Sequence, residues 1–166
     1  MKKRTVIAGI LALAGIICAG VAGYQYYQDR HAGKEYEDLK EKVVKEKQEE
    51  EPEEEEKTPL DIPIDFEQLQ SMNPEIYAWI RIPGSVIDYP IVQSDTDNAY
   101  YLTHDAENKD NAAGAIFTED YNTKTFEDPN TVIYGHGMTN GTMFNGLHQY
   151  MDRSYFDENR DIIIYV

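Results

Sequence analysis

Residues 6–23 read VIAGILALAGIICAGVAG, without a single charge. This run decides how much of the chain is left to fold in water. About 18 apolar residues is near the shortest helix that spans a bilayer. Lys2, Lys3 and Arg4 precede it, and cations on that flank hold an end in the cytoplasm. Tyr24, Tyr26 and Tyr27 follow it, as aromatic residues do at a membrane surface. The expectation is an uncleaved transmembrane anchor over residues 5–23, with residues 1–4 as a cytoplasmic tip and the rest outside the cell. A cleaved signal peptide is the rival reading. Residues 20–22, Gly-Val-Ala, form a poor cleavage site, and the run is long for the apolar part of such a peptide. Cys18 lacks the small residues that precede a lipidated cysteine, so it reads as membrane filler.

The formal charge of −16 argues against a nucleic-acid partner, whose phosphates demand a basic surface. Much of the acidity lies in residues 46–56, EKQEEEPEEEE. Such a run repels itself and stays solvated, so it reads as a spacer. Before it, Tyr36, Leu39 and Val43 fall at helical spacing and predict a short juxtamembrane helix. Pro52, Pro59 and Pro63 mark where the globular part begins. Residues 24–60 are therefore expected to be a charged helix and spacer, and residues 61–166 the folded domain. One cysteine permits no internal disulfide, so the apolar core alone must hold that domain.

Within it, Phe66, Leu69 and Met72 predict a short helix, with Asp65 as N-cap and Pro74 as terminator. Residues 79–82 and 86–92 predict two strands around the Pro83-Gly84 turn, the second bent by Pro90. Residues 100–102 form a short apolar element, residues 105–114 a loop, and residues 115–118 a strand. Residues 131–134 are predicted as a strand, Phe144, Leu147, Tyr150 and Met151 as a helix over the sheet, and residues 161–166, DIIIYV, as a last strand. Short strands with glycine and proline turns predict a mostly β, closed or nearly closed structure. An apolar final strand with no turn after it predicts a need for further strands to cover its edge.

Proton transfer near neutral pH points to histidine, and the chain has four. His31 reads as solvated, His104 as a loop cap, and His148 as part of a solvated helix face. His136, in YGHGM, stands at a predicted strand end between two glycines that permit unusual angles and close approach of another chain. It reads either as a proton carrier or as a histidine in a tight turn. No His or Cys pair offers a zinc site, and residues 94–98, SDTDN, lack the glycine and distal glutamate of a calcium loop, so neither a metal nor a cofactor is expected.

Four ordered segments carry a family resemblance: WIRIPGSVIDYPIVQ (79–93), DNAYYLTHD (97–105), GAIFTEDYN (114–122) and NTVIYGHGMTNGTMFNGL (130–147). Together they resemble the successive blocks of the sortases, class B in particular. The resemblance implies a β-barrel cysteine transpeptidase on the Gram-positive surface, single-pass in the membrane. Its cysteine cleaves a sorting-signal peptide, and a peptidoglycan or pilin amine resolves the thioester. His136 matches the family's acid–base histidine, while Asn98, Leu102 and Tyr134 match positions along the peptide groove. The family's cysteine and oxyanion arginine have no counterpart here. Cys18 lies in the apolar run, and Arg153 and Arg160 match no oxyanion residue. The expected fold is thus an incomplete sortase-type β-barrel with short helices, truncated before the nucleophile and inactive as written. The alternative is a membrane-tethered peptide-binding module without chemistry.

Overall fold

A computed structural model describes residues 2–44 and 62–166, with the side chains of residues 2–10 and 28–32 outside the description. The predicted acidic spacer, residues 46–56, lies outside the described residues.

Helix α1 (Lys2–Val43) is continuous through the apolar run and the charged segment behind it. The separate juxtamembrane helix predicted from Tyr36, Leu39 and Val43 is therefore the C-terminal end of α1. That end is also not a free spacer: Tyr36, Leu39 and Val43 are buried in the domain core. Their spacing lays three apolar side chains on one face, and the domain covers that face. A backbone bridge between Val44 and Ile64 and a bond from the Asp65 N–H to the Val43 carbonyl (3.0 Å) tie the helix end to the domain entrance. The folded unit thus begins before residue 61.

Helix α2 (Phe66–Met72) forms as predicted, with Asp65 accepting the Gln68 N–H and Leu69 buried. Strands β1 (Ile76–Arg81) and β2 (Asp88–Val92) pair antiparallel across a turn in which Gly84 adopts φ +79°. Strand β3 (Ile116–Phe117) joins β2 in parallel, and β4 (Ile163–Tyr165) joins β1 antiparallel. The sheet order is β3-β2-β1-β4. Parallel pairing begins at Ile91, directly after Pro90, which has no N–H to give to a ladder. The outcome is a partial sheet with short helices. Trp79, Ile76, Leu69, Ile82, Ile87, Ile91 and Ile116 fill its core.

Two predicted elements differ. Residues 131–134 do not form a strand: Tyr134 alone bridges Phe117, through N–H···O bonds of 2.8 and 3.0 Å. The neighbouring backbone is satisfied by a side chain instead. Buried Asn122 accepts the Val132 N–H (3.1 Å) and donates to the Asn130 carbonyl (2.8 Å). The segment after it, Phe144–Met151, is a 3-10 helix, and a separate α3 (Arg153–Glu158) follows with Asp152 as N-cap. Gly146 packs so closely that a Cβ would stand 3.0 Å from Val86, which seats the 3-10 helix on the β1–β2 turn.

One ionic cluster fixes α1 to this sheet. Asp88 accepts from Trp79 Nε1 (2.7 Å) and Arg81 Nε (2.9 Å) on one oxygen, and pairs with Lys40 of α1 (3.0 Å) on the other. Burial alone would raise the Asp88 pKa, but the bonds from Arg81, Trp79 and Lys40 outweigh it and hold the carboxyl below its ordinary value. A depressed carboxylate contributes stability that is full above its unfolded pKa, about 3.9, and is lost as pH falls through the lower folded value. Asp88→Asn is therefore expected to lower the melting temperature at pH 7, with the gap to wild type narrowing below pH ~4. Thermal melts across pH 2.5–7 check this, and a gap constant over that range would contradict it.

Candidate functional site

His136 follows the single Tyr134–Phe117 bridge, and its own carbonyl accepts the Phe144 N–H at 2.9 Å. That bond closes residues 137–143 into a hairpin at the histidine's back. The ring is half-buried, and its Nε2–H donates to the Leu102 carbonyl at 2.9 Å. This ring is neither free in solvent nor sealed in the core. A proton carrier needs such a place, held in one orientation and reachable from outside.

The flanking glycines act differently from what the sequence suggests. Neither has a positive φ. At Gly135 a Cβ would stand 2.4 Å from Ile116 Cδ1 and 3.0 Å from the Phe144 ring, whereas at Gly137 the nearest atom would be 3.7 Å away. Gly135 makes room for the protein's own core, and Gly137 has space to spare. Gly135→Ala is expected to destabilise by about 1–3 kcal/mol through overpacking. Gly137→Ala should stay within about 1 kcal/mol of wild type. Equal denaturation midpoints for the two variants would contradict this account.

Leu102 ends the 3-10 turn Tyr100–Leu102, with its side chain exposed and Tyr101 buried beneath it. It meets His136 directly, across 34 residues of sequence. Tyr134 stacks on Phe117 at 5.3 Å between ring centres, and its hydroxyl lies 2.6 Å from that of Tyr121. That contact with Tyr134 is the main cause that pushes the Tyr121 hydroxyl up to about 12. Asn98 is clamped to the residue before Tyr121. Its amide donates to Asp120 Oδ1 (2.8 Å), and its carbonyl oxygen accepts the Asp120 N–H (2.9 Å). The structure thus joins Leu102 to His136, and links Asn98 to Tyr134 through the adjacent residues Asp120 and Tyr121. Sequence reasoning singled out neither linking residue, although both lie in the GAIFTEDYN segment.

His104 and His148 lie on the surface turn and helix expected of them, and the side chain of His31 lies outside the described residues. His104 Nδ1–H donates to the Tyr100 carbonyl (2.9 Å), its Nε2 faces Asp110 (3.2 Å), and its ring stacks on Tyr100. His148 is exposed on the 3-10 helix. Both Arg153 and Arg160 pair with Asp157, and both lie over the Phe156 ring. In residues 94–98, Ser94 Oγ accepts the Asp97 N–H and Asp97 accepts the Ala99 N–H, so these oxygens order their own turn.

No protein-family model matches the sequence. Individual relatives do. Sortase B of Listeria monocytogenes is 44% identical over 91 residues, which is 55% of this chain and 37% of that protein. Sortase B of Staphylococcus aureus is 30% identical over 163 residues, 98% of this chain and 63% of that protein. The crystal structure of Bacillus anthracis sortase B superposes with a TM-score of 0.63 at 33% identity, covering 85% of this chain and 62% of that one. The chain is class B sortase-like. A Streptococcus pyogenes class B sortase involved in pilus biogenesis also superposes, with a TM-score of 0.57 at 33% identity over 60% of this chain and 54% of that one. The chain spans 37% and 63% of the length of the two curated sortase B relatives. The partial sheet and short helices described above are the part of a sortase-like fold that this chain contains.

Proposed function

We propose that this chain carries the histidine-bearing part of a class B sortase, a cysteine transpeptidase that cleaves a sorting-signal peptide. The supporting observation is the His136 ring, half-buried and hydrogen-bonded to Leu102, on the hairpin that follows Tyr134. In this reading a thiolate attacks the scissile carbonyl carbon, and His136 protonates the departing amine as the C–N bond breaks. A thioester remains. An amine from peptidoglycan or a pilin then attacks the thioester carbon, His136 takes the amine's proton, and the C–S bond breaks to release the thiolate. Giving up the Leu102 bond costs the ring about 1 kcal/mol, which leaves it available to an amine. The thiol is not Cys18, which stands on α1 within the apolar run. Residues 1–166 alone are therefore expected to form no acyl-enzyme. Asn98, Leu102 and Tyr134 line the peptide's path.

The same reading places residues 5–23 in the membrane. No helix among the described residues is long and apolar enough to cross a bilayer, but the first part of the apolar run lies outside the described side chains. Within the rest, Leu11, Leu13, Ile16, Ile17 and Val21 of α1 are all more than half exposed. An apolar helix surface that the protein leaves bare suits lipid. The folded domain then lies on the outer surface of a Gram-positive cell.

Titrating the isotope-labelled chain with a sorting-signal peptide tests the site. Amide shifts are expected at Asn98, Leu102, Tyr134 and His136. A peptide that moves none of the four would overturn the assignment, and binding without any acyl transfer in a chain supplied with the thiol would favour the non-catalytic peptide-binding module.

A further inference from the structure

The hairpin behind His136 is held from below by a residue that the proposed chemistry does not use. Tyr89 of β2 is buried, and its hydroxyl accepts the Met143 N–H at 3.0 Å. Met143 is also buried and adopts φ +55°, ψ −139°, a backbone region that favours glycine. Such a conformation persists only where its surroundings enforce it. Met143 pairs with Gly137 across the hairpin, and the next amide, Phe144 N–H, is the one that bonds the His136 carbonyl. The Tyr89 hydroxyl therefore grips the strained residue one position from the bond that fixes the histidine backbone.

A second tyrosine links this grip to the other end of the imidazole contact. Tyr36 of α1 stands edge-on to Tyr89, with ring centres 5.4 Å apart and planes at 86°. Its hydroxyl donates to the Gly114 carbonyl at 2.7 Å. Gly114, at φ +58°, presses on the turn that carries Leu102: a Cβ there would stand 2.5 Å from the Tyr101 carbonyl oxygen and 2.9 Å from that of Leu102. The Leu102 oxygen is the one that accepts from His136 Nε2.

We propose that Tyr89 is a positioning residue for His136, acting through Met143 and braced by Tyr36 of α1. This rests on the reading of His136 as the proton carrier. Tyr89 touches no reacting atom. Its hydroxyl sets the hairpin register that aims the ring at Leu102, and Tyr36 carries the same constraint from α1 to the Leu102 turn.

The test is NMR on the full 166-residue chain with Tyr89→Phe, which removes the acceptor and keeps the ring. The Met143 amide is expected to exchange about ten-fold faster. The His136 ring nitrogen signals are expected to shift away from the Nε2–H form, while those of His104 and His148 stay in place. A folded variant with unmoved His136 signals would show that Tyr89 is only part of the core, and the proposal would fall. Should the variant not fold, exchange in the wild-type chain decides: the Met143 amide must be protected as well as that of Phe144, and an unprotected Met143 amide overturns the proposal. These readouts need no turnover, so they stand apart from the peptide titration that tests the sortase reading.

Discussion

Replacing His136 by alanine is expected to lower transpeptidation by about 10²–10⁴-fold in a chain that also carries the nucleophilic thiol, with the melting temperature nearly unchanged. The two halves of that expectation have separate causes. Among the described residues the ring makes one hydrogen bond, to the Leu102 carbonyl, and it is only half-buried, so little packing is lost. The hairpin is closed by the His136 carbonyl, which alanine retains. Under the proposed function, the variant loses the proton for the leaving amine and the acceptor for the incoming one. Steady-state turnover of a labelled peptide with an amine acceptor, run beside a thermal melt, measures both. Turnover within ten-fold of wild type would remove His136 from the chemistry.

The largest effect on stability is expected at Trp79. Its side chain is fully buried in the middle of β1, in register with Pro90 on one side and Tyr165 on the other. Its Nε1 donates to Asp88, the carboxylate that also binds Arg81 and Lys40. Trp79→Ala opens a cavity in the core packed against the sheet and removes one of the donors to the half-buried Asp88 carboxylate. The cost is about 3–5 kcal/mol, a large share of the 5–15 kcal/mol typical of a domain. Trp79→Phe keeps most of the volume and loses the donor, for about 1–2 kcal/mol. Urea titrations of the two variants separate packing from hydrogen bonding. Equal midpoints would mean that the indole's bulk contributes little.

The contrast between Asp65 and Asn122 shows where sequence reading works. Asp65 caps α2 through the Gln68 amide three residues away, a contact within reach of a local rule. The β1–β2 turn is local in the same sense. Asn122 satisfies the Val132 amide ten residues on and the Asn130 carbonyl eight residues on. Residues 131–134 have the composition of a strand, and only that distant side chain explains why they do not need to be one. Gly135 misleads in a similar way. A glycine beside a histidine suggests unusual backbone angles and the close approach of another chain, while the space it leaves is taken by Ile116 and Phe144. Tyr36, Leu39 and Val43 show their common face by spacing alone, yet nothing local says that the domain covers it.

The candidate site divides along the same line. The YGHGM segment and the four ordered blocks mark His136, Asn98, Leu102 and Tyr134 as residues of interest. They do not say that Leu102 is the partner of His136, or that Asp120 and Tyr121 connect the other two. Those pairings form only when the 3-10 turn, the loop after β3 and the hairpin after Tyr134 converge. Helix caps and tight turns follow from the order of amino acids, because each depends on neighbours a few positions away. The docking of α1, the missing strand at 131–134 and the aim of the imidazole depend on bonds spanning up to 78 residues, and such contacts exist only once the chain has closed on itself.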